Sequence, residues 1–326
     1  MKKLIFCGIL LISLSSFAQQ RLLSKKIVYT IPITQSHIKS SSKADSIIYD
    51  YTVNRRFFWE AIDLIMSDIK SKKLYLHSFS GDTITYDSMI TSLTKQLSKT
   101  FLKTFSKKDI QDVLDNEIRA IQFEEEWTYN PQTMLINKKV LSYCPIIERD
   151  SVTLIGEDLE TKPCFTFPIG WIYPKGDVTT KDTSLICRNI QYNVSIYNPI
   201  PYHWWDNNLE PEYSLPFFSA IIDKAEKGEI NVFEDPNASE PFTKPNVLKR
   251  REFQTLETIV KTDKDNNEQN VDTTLVLHYN SENIDHIRFG EEIYFDKINF
   301  NFIKNTNYIA PIVSIFGKDN SFRGYY

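Results

Sequence analysis

Three consecutive glutamates, Glu124, Glu125 and Glu126, form the group of residues that could most directly do chemistry. Paired carboxylates act as acid and base in glycoside hydrolysis. Successive side chains of a β-strand point to opposite faces, so Glu125 and Glu126 do not share a face. We therefore favour a structural interpretation, in which these charges lie on a solvated strand edge and discourage aggregation, or bind Lys138 and Lys139 on the neighbouring strand.

Histidine spacing offers no local metal site. None of the five histidines forms His-x-His or His-Glu-x-x-His, the spacings that bind zinc. His278 and His286, with Glu282 or Asp285, could meet in space, but ordinary surface histidines are the expected outcome. The sequence also lacks a Gly-x-Ser-x-Gly elbow and the glycine-rich loops that bind phosphates. We therefore predict no catalytic residue, no metal and no cofactor.

Cysteine usage is equally plain. Cys144, Cys164 and Cys187 lie beyond the N-terminal leader described below, and no two of them form a Cys-x-x-Cys motif. An odd number of cysteines in an exported protein permits one disulfide and one thiol, or no disulfide. Buried, small hydrophobic side chains are the favoured interpretation. A nucleophile pair of Cys187 and His203 stays open, although nothing in the sequence marks it.

Charge and composition argue against a nucleic-acid partner. The 326 residues include 38 Lys+Arg and 42 Asp+Glu, for a net charge of −4, so there is no basic footprint. Charged residues make up 25% and hydrophobic residues 41% of the chain, as is typical of globular proteins. At roughly 100–200 residues per domain, the length predicts one large domain or two smaller ones.

The N-terminal segment 1–18 has the organisation of a secretory signal peptide. Two lysines precede an apolar run from Leu4 to Leu14, and the small residues Ser16 and Ala18 follow it. The run is too short to span a bilayer. We predict cleavage after Ala18 and export to the periplasm, and no later segment is apolar for long enough to cross a membrane.

Two pairs of segments match at nearly constant spacing. Phe57–Asp63 aligns with Phe217–Asp223, so that position 57 corresponds to position 217. Farther along, positions 118 to 146 match positions 284 to 312 without a gap, and Glu125 recurs as Glu291. Self-similarity at a fixed spacing indicates two copies of one structural unit.

These repeats predict an α+β fold made of two similar units, each a helix packed on a small antiparallel sheet that ends in a β-hairpin. We place unit one at 19–150, a connector containing aromatic and proline residues at 151–193, and unit two at 194–326. The helices follow from apolar residues at a 3.6-residue period, with Asn54 and Ser214 at the predicted N-caps and Gly228 as the stop of the second.

Further elements follow from local signals. In unit one, helices are expected over Met89–Phe105 and Ile110–Ile121, the latter begun by a capping box at Ser106 and Asp109. In unit two, Pro216 falls in the first turn of the helix, and the stretches Phe253–Val260 and Asp272–Tyr279 read as extended. The hairpin strands are Phe123–Tyr129 with Met134–Ile147, and Phe289–Phe295 with Ile298–Val313.

An aromatic cluster lies between the two units, in a proline-rich stretch. Its members are Trp171, Tyr173, Tyr202, Trp204 and Trp205. These residues could fill the contact between the units, or they could anchor a protein partner, since Trp and Tyr are enriched at interface hot spots. A sugar-binding platform is a third interpretation. We name these five as the candidate partner-binding residues.

At the hairpins the sequence resembles the GldN/PorN family. Phe123-Glu124-Glu125-Glu126-Trp127-Thr128-Tyr129-Asn130 and the later Tyr143-Cys144-Pro145-Ile146-Ile147 are similar to the family's acidic-Trp-aromatic strand and its following strand ending in Ala-Pro. The helix Phe57–Ile69, followed by Lys72-Lys73-Leu74-Tyr75, also resembles a family segment. In the second copy Gly228–Phe233, Tyr308–Pro311 and Phe322–Tyr325 do so too, and Pro168–Pro174 resembles the family's Trp-x-Tyr-x-Pro stretch.

The resemblance implies a periplasmic component of the type IX secretion and gliding machinery. It implies as partners an outer-membrane lipoprotein of the GldK/PorK type and the periplasmic part of a GldM/PorM-type protein, in a large ring. The chain differs from the family pattern in stopping at Tyr326 and in carrying the unit twice, which favours a divergent, duplicated paralogue.

Three hypotheses follow. The main one is a non-enzymatic periplasmic interaction subunit that acts by binding. The alternatives are a hydrolase of envelope polymers that uses the hairpin carboxylates, and a carbohydrate- or peptide-binding module that uses Trp204 and Trp205. An enzyme should show a cleft in which Glu125 and Glu126, or a histidine and a carboxylate, converge. An assembly subunit should show exposed apolar surface instead.

Overall fold

A computed structural model describes most of the chain: residues 20–33, 52–53, 55–149, 152–155, 158–161, 165–179, 181–196, 209–234, 238–243, 252–262, 268–316 and 322–325. Within them the fold is α+β, with helices and antiparallel sheets. The predicted leader, Cys164, Asn54, His203 and the aromatic residues Tyr202, Trp204 and Trp205 lie outside the described residues. None of the helices in the described ranges is long and apolar enough to cross a membrane.

Four α-helices are described. They are α1 (Arg55–Lys70), α2 (Tyr86–Phe101), α3 (Lys107–Asn116) and α4 (Pro211–Lys227). In α1 the buried residues recur three or four positions apart, so one face of the helix enters the core; they are Phe58, Ala61, Ile62, Ile65 and Ile69. The capping box predicted for α3 is confirmed, since Ser106 accepts from the Asp109 amide and Asp109 accepts from the Ser106 amide.

Two helix ends differ from the sequence-based expectation. The third helix does not reach Ile121, because the chain enters a strand at Ile118, where apolar residues face both sides of a central strand. The second-unit helix begins earlier than predicted, at Pro211 after the N-cap Glu210, so Ser214 is a buried helical residue rather than a cap. Its predicted stop is confirmed, with Gly228 in the left-handed conformation at φ 74°.

The strands form two four-stranded sheets. Sheet one contains β1 (Arg21–Pro32), β5 (Ile118–Tyr129), β6 (Ile136–Arg149) and β9 (Phe165–Pro168), in that order. Sheet two contains, in spatial order, β14 (Asn301–Ile312), β13 (His286–Asp296), β10 (Thr183–Ser195) and β2 (Thr52–Val53). Every pairing within them is antiparallel.

The remaining strands form two-stranded ribbons. These are β3 (Leu76–His77) with β4 (Thr83–Ile84), β7 (Val152–Ile155) with β8 (Asp158–Thr161), β11 (Glu252–Thr262) with β12 (Glu268–His278), and β15 (Ser314–Phe316) with β16 (Phe322–Tyr325). The extended character predicted for 253–260 and 272–279 is therefore confirmed. A short 3₁₀ helix, Ser281–Asn283, precedes β13.

The two predicted hairpins are confirmed, and one irregularity of the first hairpin recurs at the matching place in the second. The β1–β5 register shifts on both sides of Ser24, and the β10–β13 register shifts on both sides of Cys187. The β5–β6 register shifts after Glu124, and the β13–β14 register shifts after Gly290. Glu124 and Gly290 are equivalent positions in the alignment of the two hairpins, so the second irregularity recurs without any offset.

The two sheets pack face to face. Across their contact the Trp127 ring lies 5.1 Å from Phe289, and Phe302 lies 5.3 Å from Phe123 and 4.9 Å from Tyr143. Such edge-to-face pairs add to the stabilisation from apolar burial. The contact brings together aromatic side chains that are far apart in the sequence.

The helices pack across the division between the early and late parts of the chain. Helix α1 packs against β10 of sheet two, and α4 packs against β1 of sheet one. The Phe217 ring of α4 lies 4.8 Å from Tyr129 of β5. The strand β2, which precedes α1, pairs with β10 at Cys187 and Arg188. The boundary expected at 193 falls inside β10.

We expect Phe58→Asp and Phe218→Asp each to destabilise the fold. Both side chains are about 1% exposed, so either change buries a carboxylate without a partner and removes a packed ring. Loss of a buried Phe alone costs about 3–5 kcal/mol. Urea unfolding of the variants measures the effect.

Phe233→Asp is the matched control, because Phe233 is 44% exposed. The urea concentration at which half of this variant is unfolded should stay close to that of the unmodified chain. Equal midpoints for all three variants would contradict the buried positions of α1 and α4.

Candidate functional site

Four charged side chains meet between the two sheets. Lys138 Nζ lies 2.6 Å from Glu291 Oε1, and Lys304 Nζ lies 2.6 Å from Glu125 Oε1. All four side chains are fully buried. Each ion pair joins one sheet to the other, because Glu125 and Lys138 belong to sheet one and Glu291 and Lys304 to sheet two. We call this group, with Tyr29 and Tyr192, the charged core.

One tyrosine completes each ion pair. Tyr29 donates to Glu125 Oε2 at 2.5 Å and accepts from Lys304 Nζ at 3.0 Å. Tyr192 donates to Glu291 Oε2 at 2.5 Å and accepts from Lys138 Nζ at 2.9 Å. The two rings stack with centroids 5.8 Å apart. Each hydroxyl thus bridges a carboxylate to the ammonium that neutralises it.

Each carboxylate has one more donor, and the two donors differ. Trp127 Nε1 donates to Glu125 at 2.7 Å, whereas Thr306 Oγ1 donates to Glu291 at 2.8 Å. Both charges therefore have the several hydrogen-bonding partners that a buried carboxylate needs.

Aromatic faces cover the two ammonium groups. Lys138 Nζ lies 3.1 Å from the ring centroid of Phe289, and Lys304 Nζ lies 3.2 Å from that of Phe123. The ring quadrupole attracts a cation, most strongly where water is excluded. The rings thus replace part of the hydration that the lysines lose on burial.

The charged core shifts the ionisation of its members. Burial lowers the pKa of Lys138, and lowers the pKa of Lys304 to about 8, against the opposing effect of the carboxylates. Burial tends to raise the pKa of Glu125, but the positive charges of Lys304 and Lys138 outweigh this effect and hold the pKa of Glu125 below its usual value. Burial, and then Glu125, raises the pKa of Tyr29 well above its ordinary range. Burial and the opposite charges therefore act against each other within the charged core.

The expectation of a solvated strand edge is wrong for Glu125. Strand β5 lies between β1 and β6 in sheet one, so alternate side chains point into the contact between the sheets. Lys138 binds Glu291 of the other sheet rather than a glutamate opposite it in β5. Glu124 does lie near the surface and pairs with Lys26 at 2.8 Å. Glu126 is in register with Lys139.

Glu125 and Glu126 do not converge in a cleft. Glu125 points into the core, and Glu126 points to the opposite face of β5. Each carboxylate of the charged core already holds its lysine and its hydroxyl partners. The charged core therefore fixes the relative orientation of the two sheets, and its two carboxylates do not form a pair that a substrate could bind.

The described cysteines are buried. Burial raises the pKa of Cys144, and of Cys187, to about 12. A thiol needs a lowered pKa to act as a nucleophile. The prediction that Cys144 and Cys187 are small buried side chains agrees with their burial. His203, the possible partner of Cys187, lies outside the described residues.

The described histidine and acidic residues are, by type, possible metal ligands. Among the residues that the structure describes, no group of three or more His, Cys, Asp or Glu could hold a metal ion. His286 Nδ1 lies 2.9 Å from Asp285 Oδ1, and Asp285 also accepts from the Ser314 amide. This pair fixes the chain where β14 ends.

Two of the five candidate partner-binding residues are described, and they differ in exposure. Trp171 is 6% exposed and packs behind sheet one with Cys144 and Ile146. Tyr173 is 48% exposed, and its ring meets His77 edge to face at 5.0 Å. Phe79, 62% exposed, lies 6.0 Å from the Trp171 ring. We call Tyr173, His77 and Phe79 the aromatic patch.

The fold and its charged core define the class of protein: an α+β chain whose acidic and basic core residues join two sheets. Sequence comparison shows which family the later part of the chain is similar to. Residues 184–325 match the model of the family described as gliding motility associated protein GldN. This match takes in β10, α4, β13 and β14, and the C-terminal part of the chain is therefore similar to the GldN family, in agreement with the resemblance seen in the sequence. No curated protein and no solved structure matches the chain.

Three of the six residues of the charged core were not singled out from the sequence: Tyr29, Tyr192 and Lys304. The recurrence of Glu125 as Glu291 was predicted, and Lys138 recurs as Lys304 at that same spacing. Tyr29 and Tyr192 are related at nearly the same spacing. Charged residues repeated inside otherwise apolar strands were the available signal.

We expect Lys138→Met to destabilise the protein by about 3–5 kcal/mol, because it leaves the Glu291 carboxylate buried without its cation. Adding Glu291→Leu to Lys138→Met should cost less than the two single changes together. A double-mutant cycle in urea measures this coupling.

Arg56→Met serves as the control for that cycle, since the Arg56–Glu60 pair is largely exposed. Its effect should be about 0.5 kcal/mol or less. Additive effects of the Lys138 and Glu291 changes would refute a buried ion pair.

The pH dependence of stability should carry the signature of Lys304. Its pKa is about 8 in the folded protein and about 10.4 in an unfolded chain. Between these values the unfolded chain binds more protons, so this group makes unfolding free energy rise with pH, by up to about 1.4 kcal/mol per pH unit. Lys304→Met should flatten the rise between pH 8 and 10, measured by urea unfolding.

Lys139→Met provides the comparison, because this neighbouring lysine is exposed. It should leave the slope unchanged. If the unfolding free energy of Lys304→Met rose with pH as steeply as that of the unmodified chain, Lys304 would not be desolvated.

Proposed function

We propose that the protein is a non-catalytic, periplasmic interaction subunit of the type IX secretion and gliding machinery. The observation that carries the proposal is the match of residues 184–325 to the GldN family, whose description is gliding motility associated. A binding role agrees with the charged core, which uses Glu125 and Glu291 to hold two sheets together. Export through a signal peptide cleaved after Ala18 belongs to the same proposal.

The chain is proposed to contain the structural unit twice. The matched hairpins, their register shifts at corresponding places, and the recurrence of Tyr, Glu and Lys in the charged core support this. The helices support it too, since α1 packs on β10 as α4 packs on β1. One copy is then the N-terminal unit, expected at 19–150, and the other lies in the GldN-matching part.

The proposed partners are an outer-membrane lipoprotein of the GldK/PorK type and the periplasmic part of a GldM/PorM-type protein. The resemblance suggests both. On this chain, the aromatic patch offers exposed rings of the kind that anchor protein interfaces. Tyr173 and Phe79 are its outward members, and Trp171 supports Phe79 from below. Tyr202, Trp204 and Trp205 remain candidate contacts by their sequence.

Affinity isolation of the tagged protein from mildly crosslinked cell envelopes tests the proposal. We expect a GldK/PorK-like lipoprotein or a GldM/PorM-like protein to be recovered in stoichiometric amounts. Tyr173→Ser should reduce that recovery several-fold without loss of stability, since the side chain is about half exposed.

Phe233→Ser controls for the loss of an exposed aromatic ring elsewhere, and should not change recovery. Recovery of the protein alone, as a monomer of the soluble periplasm, would refute the assembly role. The next experiment would then be a screen for ligands or substrates.

A further inference from the structure

Two consecutive parts of the chain, joined by a very short link, each supply three residues of the charged core. The charges of one part are opposite to those that they meet on the other part. The first part, the described residues from 20 to 172, supplies Tyr29, Glu125 and Lys138. The second part, the described residues from 175 to 325, supplies Tyr192, Glu291 and Lys304. We call them the first half and the second half.

Neither half neutralises its own buried charges. Glu125 and Lys138 lie in one sheet, yet each makes its ion pair with the other sheet. Each tyrosine hydroxyl also receives the lysine of the opposite half, at 3.0 Å for Tyr29 and 2.9 Å for Tyr192. A separated half would expose its carboxylate, its ammonium group and the apolar rings around them to water, and the exposed apolar surface favours docking on a complementary half.

The halves are interlocked beyond the charged core. Strand β2 of the first half pairs with β10 of the second. Helix α1 packs on β10, and α4 packs on β1. The inner face of each half is therefore a docking surface for the other half, with opposite charges matched across it.

The link between the halves is very short. Ile172 is hydrogen-bonded to Tyr143 of the first half through its amide at 2.8 Å. The Lys175 amide donates to Asn299 of the second half at 2.8 Å. Only Tyr173 and Pro174 lie between these two anchoring points. Short hinges favour the exchange of equal parts between chains, which needs no new contact.

We propose that two copies of this chain exchange halves, so that the first half of one copy docks on the second half of the other through Glu125–Lys304 and Lys138–Glu291 ion pairs. The partner for the inner face is thus a second copy of this chain. The exchanged dimer keeps the ion pairs, the pairing of β2 with β10 and the helix packing described above, and changes the path of the chain at Tyr173 and Pro174. The inference rests on geometry and does not depend on the envelope partners.

Complementation between two full-length variants tests the exchange. The first variant inverts the charges of the first half, by Glu125→Lys with Lys138→Glu. The second inverts those of the second half, by Glu291→Lys with Lys304→Glu. In either variant alone, both ion pairs become like-charge contacts within a chain and between identical chains. In a mixed exchanged dimer, all four pairs are again opposite in charge.

We expect each variant alone to give no folded monomer, and the two refolded together to give a 1:1 heterodimer as the main species, measured by light scattering with differently tagged chains. The control combines all four substitutions in one chain, which restores opposite charges within a chain and between identical chains, and should fold as the unmodified chain does. Folded monomers of either two-site variant would overturn the proposal. So would a mixture without heterodimer when the four-site variant folds.

A second measurement needs no charge inversion. Two differently tagged, unmodified chains are unfolded and refolded together at high concentration, and a dimer that carries both tags is expected. Chains refolded separately and then mixed should give no such dimer, because exchange requires the halves to separate. Absence of mixed dimers both here and in the complementation experiment would overturn the proposal.

Discussion

The structure depends on the need to neutralise two buried carboxylates and two buried ammonium groups that adjacent sheets bring together. An ionised side chain without water or a partner is unstable in a protein interior by several kcal/mol. Glu125 and Glu291 are stable where they are because Lys304 and Lys138 approach from the opposite sheet. This condition holds in only one relative placement of the sheets, so the charges select that placement.

Charges that select one relative placement of the sheets do not necessarily stabilise the folded protein. Replacement of a buried ion pair by packed apolar residues is often neutral or favourable, so the charged core need not add net stability. The aromatic contacts around it supply apolar burial, as Trp127 on Phe289 and Phe302 on Tyr143 show. An apolar contact alone tolerates sliding and rotation. Hydrogen-bonded charges with Tyr29 and Tyr192 between them tolerate neither, because a small shift would leave a donor or acceptor unpaired.

Much of the fold could be predicted from the sequence because its signals are local. The capping box at Ser106 and the stop at Gly228 depend on neighbouring residues, and the structure confirms both of them. The predicted end of α3 was wrong because Ile118 and Ile121 fit a helical period as well as a strand buried on both faces. The recurrence of Glu and Lys was visible in the sequence, but their pairing across the sheets was not, because a Lys between Asn137 and Lys139 resembles a solvated strand until the opposing sheet is known.

The position of the charged core also bears on how such a protein can bind others. Its acidic and basic groups are consumed internally, so partner contacts must use side chains on the outside of the sheets. Behind sheet one, Trp171 covers Cys144 and Ile146, and Tyr173 and Phe79 remain exposed beside it. The same stretch of chain carries both the outward rings and the link between the halves. A partner that binds Tyr173 therefore contacts the point at which the two halves are joined, and binding there would be coupled to how the halves are held together.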